Sequence, residues 1–452
     1  MDITISENLI VTNSTEKERT QLKQLVSFIN PAWEDAIKFG RSVWGIPRII
    51  RQYEESDNAL ILPRGCLYSV INTVGIPKHL IDKTAKFQTS ILESQIKLRP
   101  LQKVWVENML LHKQGIGVAP AGSGKTVMAL HIIATLGQPT LWLTHRKTLL
   151  DQFKERANFF ISAGHIGTIG SGKYDLGDLI TVGMIQTLSR SDIEELTYNF
   201  GVVFLDEAHV VPSRQAMLSI KKFAPSYLYG LTATPYREDR LEKIIFDTIG
   251  PIISTMDRDA VVLENSIMPA TIKVCNTGIT YPYIQYSYID VINYLATNEK
   301  RNKLIIQDII SEVALGNICI ALTSRIEHGA ILKTLLEKYG VECEHIHSEL
   351  TNKQREESMG KFLSGKVTTV VATYQLLSEG FDHQPSSRIF FTLPHKARGL
   401  IEQSKGRIER IFKNKKEAIV YDYVDPIVML EKQFEKRLVQ YHEHGLKIIR
   451  KN

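Results

Sequence analysis

Short apolar runs alternate with longer stretches of helical period through most of this 452-residue chain. From about Leu98 the runs fall at residues 117–119, 140–144, 179–183, 202–206 and 228–232, and the segments between them repeat apolar positions every three to four residues. Buried parallel strands joined by crossover helices read this way. A second series begins near Arg301, with runs at 318–323, 343–347, 368–373, 388–393 and 418–422. The pattern predicts two parallel sheets flanked by helices, over residues 96–255 and 301–425. Between them, residues 256–300 are irregular and rich in Tyr, Asn and Thr, which reads as a linker. Residues 426–452 predict a terminal amphipathic helix. Ahead of both series, residues 1–95 read as a small α+β accessory domain. Residues 3–11 alternate like a strand, residues 14–29 carry a helical period behind a capping Ser or Thr, and residues 59–64 suit a further strand.

Composition narrows the picture. A hydrophobic fraction of 43% and a charged fraction of 23% exclude disorder as the main state. No apolar run is long enough to span a membrane, and the start M-D-I-T-I-S-E-N lacks a signal core, so a cytoplasmic protein is expected. Cys66, Cys275, Cys319 and Cys343 lie far apart without a C-x-x-C pair, which predicts buried thiols rather than a zinc site or disulfides. A net charge of +6 admits a nucleic-acid partner without requiring one.

The candidate chemistry starts at Ala119, Pro120, Ala121, Gly122, Ser123, Gly124, Lys125 and Thr126, between a predicted strand and a predicted helix. The two glycines allow a tight fold in which successive N–H groups face a phosphate. Lys125 is expected to reach the outer phosphates and Thr126 to sit on Mg2+. Ala119 stands where the pattern usually has its first Gly. The acidic pair Asp206 and Glu207, followed by Ala208 and His209, ends an apolar run about 80 residues further on. Asp206 suits a magnesium-holding carboxylate, and Glu207 suits the group that orients and deprotonates an attacking water. Together these features predict hydrolysis of a nucleoside triphosphate, bound where the first sheet's strands end in loops.

The ordered set of motifs resembles the superfamily-two helicases and translocases with a D-E-A-H signature, over about residues 98–425. That resemblance implies two tandem RecA-like domains. Arg99 and Gln102, in R-P-L-Q, precede the phosphate loop by the usual interval, and in the family this Gln reads the adenine edge, implying ATP as the cofactor. His145 and Arg146, and Gln186 and Thr187, fall where the family contacts a strand backbone. His209, Thr232 and Thr234 fall where it links hydrolysis to movement. In the second series Ser324 and Thr373 match nucleic-acid motifs, and Gly380 and Asp382 match an interdomain motif on the nucleotide side. Gln403, Arg407 and Arg410 match Q-x-x-G-R-x-x-R. Arg407 and Arg410 are one helical turn apart, so they project from one face, where guanidinium groups can stabilise the charge built up in phosphoryl transfer.

The first residues bear on the substrate. Trp33, Phe39, Arg41, Trp44, Arg48, Arg51 and Arg64 interleave aromatic and basic groups, which can combine phosphate contacts with base stacking. Residues 1–97 hold twelve basic and eleven acidic residues, so only the stretch 38–64 is enriched. The layout is similar to phage branch-migration helicases and relatives of the eukaryotic transcription-repair helicase. It implies a monomeric DNA helicase acting on forks, recombination intermediates or R-loops, with Arg41, Trp44 and Arg48 on the nucleic acid. Three alternatives stay open: an RNA helicase, a restriction-type duplex translocase that does not separate strands, and a non-catalytic ATP-gated clamp.

Overall fold

A computed structural model describes residues 1–56, 58–237, 239–264, 267–283, 287–374, 383–395, 408–413, 415–443 and 445–451, with only the backbone of Asn352 and Glu443. The chain divides into two compact units. The first comprises Met1–Pro120 and Gly124–Ala260, and the second Ala121–Ser123 and Val261–Asn452.

Among the described residues the first unit contains two larger sheets and a two-stranded antiparallel ribbon, Ser27–Ile29 with Ile49–Arg51. At the start of the unit the apolar alternation of residues 3–11 is broken by Ser6 and Glu7, so the expected single strand is a hairpin of Asp2–Ile5 and Asn8–Thr12. These join Glu54–Ser56, Ala59–Pro63 and His79–Asp82 in a five-stranded sheet. Helix Glu16–Leu25, opened by a Thr15–Glu18 capping box, and helix Leu67–Val74 close its core of Ile3, Leu9, Val11, Leu22, Leu60, Leu62 and Val70.

The larger sheet has eight strands, in the spatial order Lys173–Asp175, Ile166–Gly170, Ile180–Met184, Thr140–Thr144, Val202–Asp206, Tyr227–Thr232, Gln114–Val118 and Ile252–Thr255. All pairings are parallel except the outermost hairpin, Ile166–Gly170 with Lys173–Asp175. Helices cover both faces, which is why the strands are almost continuously buried. Trp142 fills the centre, its ring stacked 4.1 Å from Phe153 and 5.6 Å from Phe204.

No break between compact units falls near residue 95. Arg64, expected as part of an exposed basic stretch, is instead buried as a rivet between the two sheets. Its guanidinium donates to Gln114 Oε1 at 2.9 Å, to Ser226 O at 3.4 Å and to the carbonyl of Pro225. Next to it, a Cβ on Gly65 would run into the backbone of Phe246, Asp247 and Gly250, so only glycine lets the chain lie this close to helix Glu242–Ile249.

The second unit is one seven-stranded, wholly parallel sheet, in the order Cys343–Ile346, Thr369–Thr373, Cys319–Thr323, Arg388–Phe391, Ala418–Val424, Ala270–Asn276 and Lys447–Lys451. Two expectations are corrected here. The stretch 256–300, read as irregular linker, supplies the interior strand Ala270–Asn276 and helix Tyr288–Thr297. The predicted terminal helix covers only Val428–Glu443, and the chain then turns into the edge strand Lys447–Lys451. Three sealed ion pairs hold this unit. Arg301 meets Asp425 at 2.8 and 3.1 Å, Arg437 meets Asp422 at 3.0 Å through two nitrogens, and Arg388 meets Glu312 at 2.6 Å. All four cysteines are buried and unpaired, and no helix among the described residues is long and apolar enough to cross a membrane.

Candidate nucleotide-binding and coupling site

Parallel pairing in register is what assembles the site. Val118 pairs with Thr232, Leu231 with Asp206, Leu205 with Leu143, and Thr144 with Met184. The carboxyl ends of five strands therefore lie along one edge of the eight-stranded sheet. The segments that leave this edge carry the phosphate loop, the acidic pair, His145 and Arg146, Gln186 and Thr187, and the turn Thr232 to Thr234. An open parallel sheet binds its ligand at such an edge.

At the phosphate loop the chain passes from strand Gln114–Val118 through Ala119, Pro120, Ala121, Gly122 and Ser123 into helix Lys125–Leu136. Gly124 stands in the left-handed region at φ +95°, and a Cβ there would lie 2.6 Å from Gln102 Nε2. The loop thus turns tightly against the side chain expected to read the base. Gln102 is buried in the first turn of helix Pro100–Leu110, where its Oε1 accepts from the Arg99 N–H at 3.0 Å. Lys125 folds back over the loop, its Nζ donating to Ala119 O at 3.0 Å and Pro120 O at 3.3 Å. Thr126 Oγ1 accepts from Arg156 at 3.4 Å.

The acidic pair sits two strands away. Glu207 adopts φ +54°, a left-handed conformation that costs a side-chain-bearing residue of order 1 kcal/mol or more. Its N–H donates to Asp206 Oδ1 at 3.1 Å, and His209 Nδ1 lies 3.3 Å from its Oε2, off the axis of a hydrogen bond. Burial, and then the adjacent Glu207 charge, push the Asp206 carboxyl well above the ordinary range. Burial also opposes ionisation of Glu207, but His209 and the charge of Lys125 outweigh it and hold Glu207 low. Two crowded carboxyls, one reluctant to ionise, are a donor set that a divalent cation satisfies. With left-handed glycine at a helix N-terminus, these residues fit a magnesium nucleoside triphosphate.

Around the acids lie groups that lack partners. Thr144 Oγ1, His145 Nδ1 and Gln186 Oε1 are buried polar atoms without hydrogen bonds. Gln186 Nε2 donates to His145 O at 2.7 Å, and Arg146 Nε donates to His145 Nε2 at 3.0 Å. Burial, aided by Arg146, lowers the His145 imidazole to about 4, so it is neutral near pH 7. Thr187 lies in the short helix Ile185–Leu188. Thr232 Oγ1 accepts from the Thr234 N–H at 3.2 Å, while the Ala119 N–H donates to Thr232 O at 3.1 Å. That turn is therefore tied directly to the phosphate loop.

Arg41, Trp44 and Arg48 occupy residues 39–48, a loop that leaves helix Pro31–Lys38. Asn30 closes its base. The Asn30 N–H donates to Arg48 O and its Nδ2 to Pro47 O, each at 2.9 Å, while its Oδ1 caps the helix at Ala32 N. Trp44 is 92% exposed. Arg41 lies over the Phe39 ring at 5.4 Å and Arg48 over the Trp33 ring at 5.3 Å.

In the second unit Ser324 and Thr373 leave neighbouring strand ends, since Thr323 pairs with Thr373. Arg410 is half-buried, and its carbonyl accepts from Lys415 Nζ at 3.0 Å. Gly380, Asp382, Gln403 and Arg407 lie outside the described residues.

The sequence reading passed over three arginines. Arg156 reaches Thr126 from helix Lys147–Phe160. Arg237 donates to the carbonyl of His209 and holds Asp239 at 2.8 and 2.5 Å. Arg240 leads away from that turn to Glu34 and Asp35. For Arg237 and Arg240 the local signal is the charged run that follows Thr232-Ala-Thr234; Arg156 has none.

Comparison with known proteins agrees with this layout. Residues 95–237 match the family described as type III restriction enzyme, res subunit, and residues 300–412 match the helicase conserved C-terminal domain. The chain belongs to the superfamily-two helicases and translocases, with two RecA-like domains that imply nucleic-acid-dependent ATP hydrolysis. Its relatives include archaeal and viral proteins. It is 31% identical over 186 residues to "DNA 3'-5' translocase XPB2" of Sulfurisphaera tokodaii, a match covering 39% of this chain and 42% of that one. It is 25% identical over 393 residues to "Probable helicase D10" of Escherichia phage T5, covering 84% of this chain and 83% of that one. Among solved structures, a variant of S. cerevisiae Dbp5 bound to RNA and ADP BeF3 shares the fold at TM-score 0.55 and 14% identity, covering 78% of this chain and 90% of that one.

Proposed function

We propose that the protein is an ATP-dependent DNA helicase or translocase that unwinds or branch-migrates forked and branched duplexes. In this reading Lys125 binds the outer phosphates, and Gln102, set against Gly124, reads the adenine edge with Arg99 beside it. Glu207, kept ionised by its neighbours, takes a proton from the attacking water. Thr126 and Asp206 would hold magnesium, which would neutralise phosphate charge. By the family resemblance, Arg407 and Arg410 are assigned the transition-state role, and Gln403, Gly380 and Asp382 nucleotide-responsive roles. His145, Arg146, Gln186, Thr187, Ser324 and Thr373 are assigned to the strand backbone, and His209, Thr232 and Thr234 to coupling.

The observation that carries the preference for branched DNA is the loop of residues 39–48. Between Asp35 and Glu54 the chain has four basic and no acidic residues, and at its tip Trp44 offers a solvent-facing ring. A stacking ring flanked by phosphate-binding groups suits a place where bases leave a duplex. The XPB2 relative is named for DNA, which supports the same choice.

Phosphate release should be measured on the purified chain with a synthetic fork, a four-way junction, a tailed linear duplex and matched RNA. Branched DNA is expected to stimulate most, with strand displacement in parallel. Preference for RNA would favour the RNA-helicase alternative. Stimulation by plain duplex without strand displacement would favour the restriction-type translocase. ATP binding without any turnover would identify a clamp.

A further inference from the structure

We infer that Arg240 is a positioning residue that couples the nucleic-acid loop of residues 39–48 to the ATP site. The inference rests on the function proposed above and adds a route within the first unit.

Arg240 stands at φ +55°, a left-handed conformation unusual for arginine. The Arg240 N–H donates to Arg237 O at 3.2 Å, and Asp239 Oδ1 accepts from the Leu241 N–H at 3.2 Å. Arg237 grips Asp239 and donates to the backbone carbonyl of His209, whose imidazole Nδ1 lies 3.3 Å from Glu207 Oε2. The Arg240 guanidinium is spread over the start of helix Pro31–Lys38. It meets Glu34 Oε2 at 3.0 Å, Asp35 Oδ1 at 2.8 Å and Pro31 O at 3.3 Å. That helix leads directly into the loop bearing Arg41, Trp44 and Arg48, and Asn30 ties helix start and loop base together.

A contiguous chain of polar contacts therefore runs from the loop to the carbonyl behind the acidic pair. The first turn of a helix is where carboxylates are favoured, so Glu34 is held by both the helix and Arg240. Movement of helix Pro31–Lys38 when the loop engages nucleic acid pulls on the turn that holds Arg240, and the turn bears on His209.

The test compares phosphate release with and without saturating forked DNA. Arg240→Gly keeps the left-handed turn and removes only the side chain. Its basal rate, ATP KM and melting temperature should match wild type, while the DNA-stimulated kcat falls about three- to tenfold, the scale that two exposed ion pairs allow. Arg240→Glu should fall further, and adding Glu34→Lys should restore at least half of the loss. If Arg240→Gly keeps full stimulation, or the reversed pair restores nothing, the coupling role is overturned. If wild-type protein is itself unstimulated by any nucleic acid, the proposed function fails and the coupling with it.

Discussion

In the second unit Arg301, Arg388 and Arg437 are sealed from solvent, and each meets a carboxylate. Asp425 also accepts from Thr277 at 2.6 Å, and Asp422 from Tyr441 at 2.8 Å. Along the strand ends of the first unit the pattern inverts. Asp206 and Glu207 crowd each other, Lys125 leans on carbonyls, and Thr144, His145 and Gln186 hold polar atoms without partners. Satisfied buried charge contributes to a unique structure, whereas unsatisfied charge disfavours the folded state until a ligand arrives. The contrast is between three sealed ion pairs and one strand-end edge, since the second unit has unpartnered buried polar atoms of its own, at His345, Thr369 and His395.

The contrast can be broken most sharply on the unsatisfied side. Glu207→Gln should lower nucleic-acid-stimulated ATPase by about 10²–10⁴-fold, the range for loss of a general base. Thermal unfolding should move little, because no fully paired charge is lost. Lys125→Ala should behave alike; wild-type turnover in either purified variant would dissolve the distinction. On the satisfied side, Arg301→Met leaves Asp425 buried without a counter-charge and should destabilise the second unit by about 3–5 kcal/mol in urea unfolding. Adding Asp425→Leu should recover part of that loss, since no buried charge then lacks its counter-charge, although Thr277 loses its acceptor.

The smallest expected effect concerns one of the unpartnered buried groups of the second unit. Both ring nitrogens of His395 are buried without partners, and burial, then the Arg437 charge, depress its imidazole to about 3. The fold keeps the ring neutral, whereas the unfolded chain takes up a proton below about pH 6.5. The stability that depends on a neutral ring is complete above that value and is lost progressively toward pH 3. By pH 5 the loss reaches about 2 kcal/mol. His395→Phe should flatten the fall in melting temperature over this window. An unchanged pH profile would mean that another group titrates there.

What the sequence made legible follows the same physics. Strands such as Val202–Asp206 and Thr140–Thr144 are buried on both faces, so they declare themselves as apolar runs. Ile166–Gly170 carries two glycines, and Lys447–Lys451 is an edge strand with three basic residues, so neither stands out. Ala270–Asn276 buries alternate residues amid polar surroundings and passes for linker. The phosphate loop and the acidic pair were readable because their chemistry is compressed into a few neighbouring residues. Arg64 and Arg240 were not, because their partners lie far away in sequence, at Pro225 and at Glu34. Only a fold brings such residues together.

The strand Ala270–Asn276 carries a consequence for biosynthesis. Its flanking partners are Ala418–Val424 and Lys447–Lys451, with Thr271 opposite both Ile419 and Lys447. As the polypeptide leaves the ribosome, the first unit has all of its strands before this one is even made. The second then waits with an unpaired, half-apolar ribbon until Ala418–Val424 and Lys447–Lys451 have been made. Such long-range parallel pairing is slow to form and prone to mispairing while it waits. In a cell making this protein quickly, the second unit is where chaperones would be needed and where aggregates would begin.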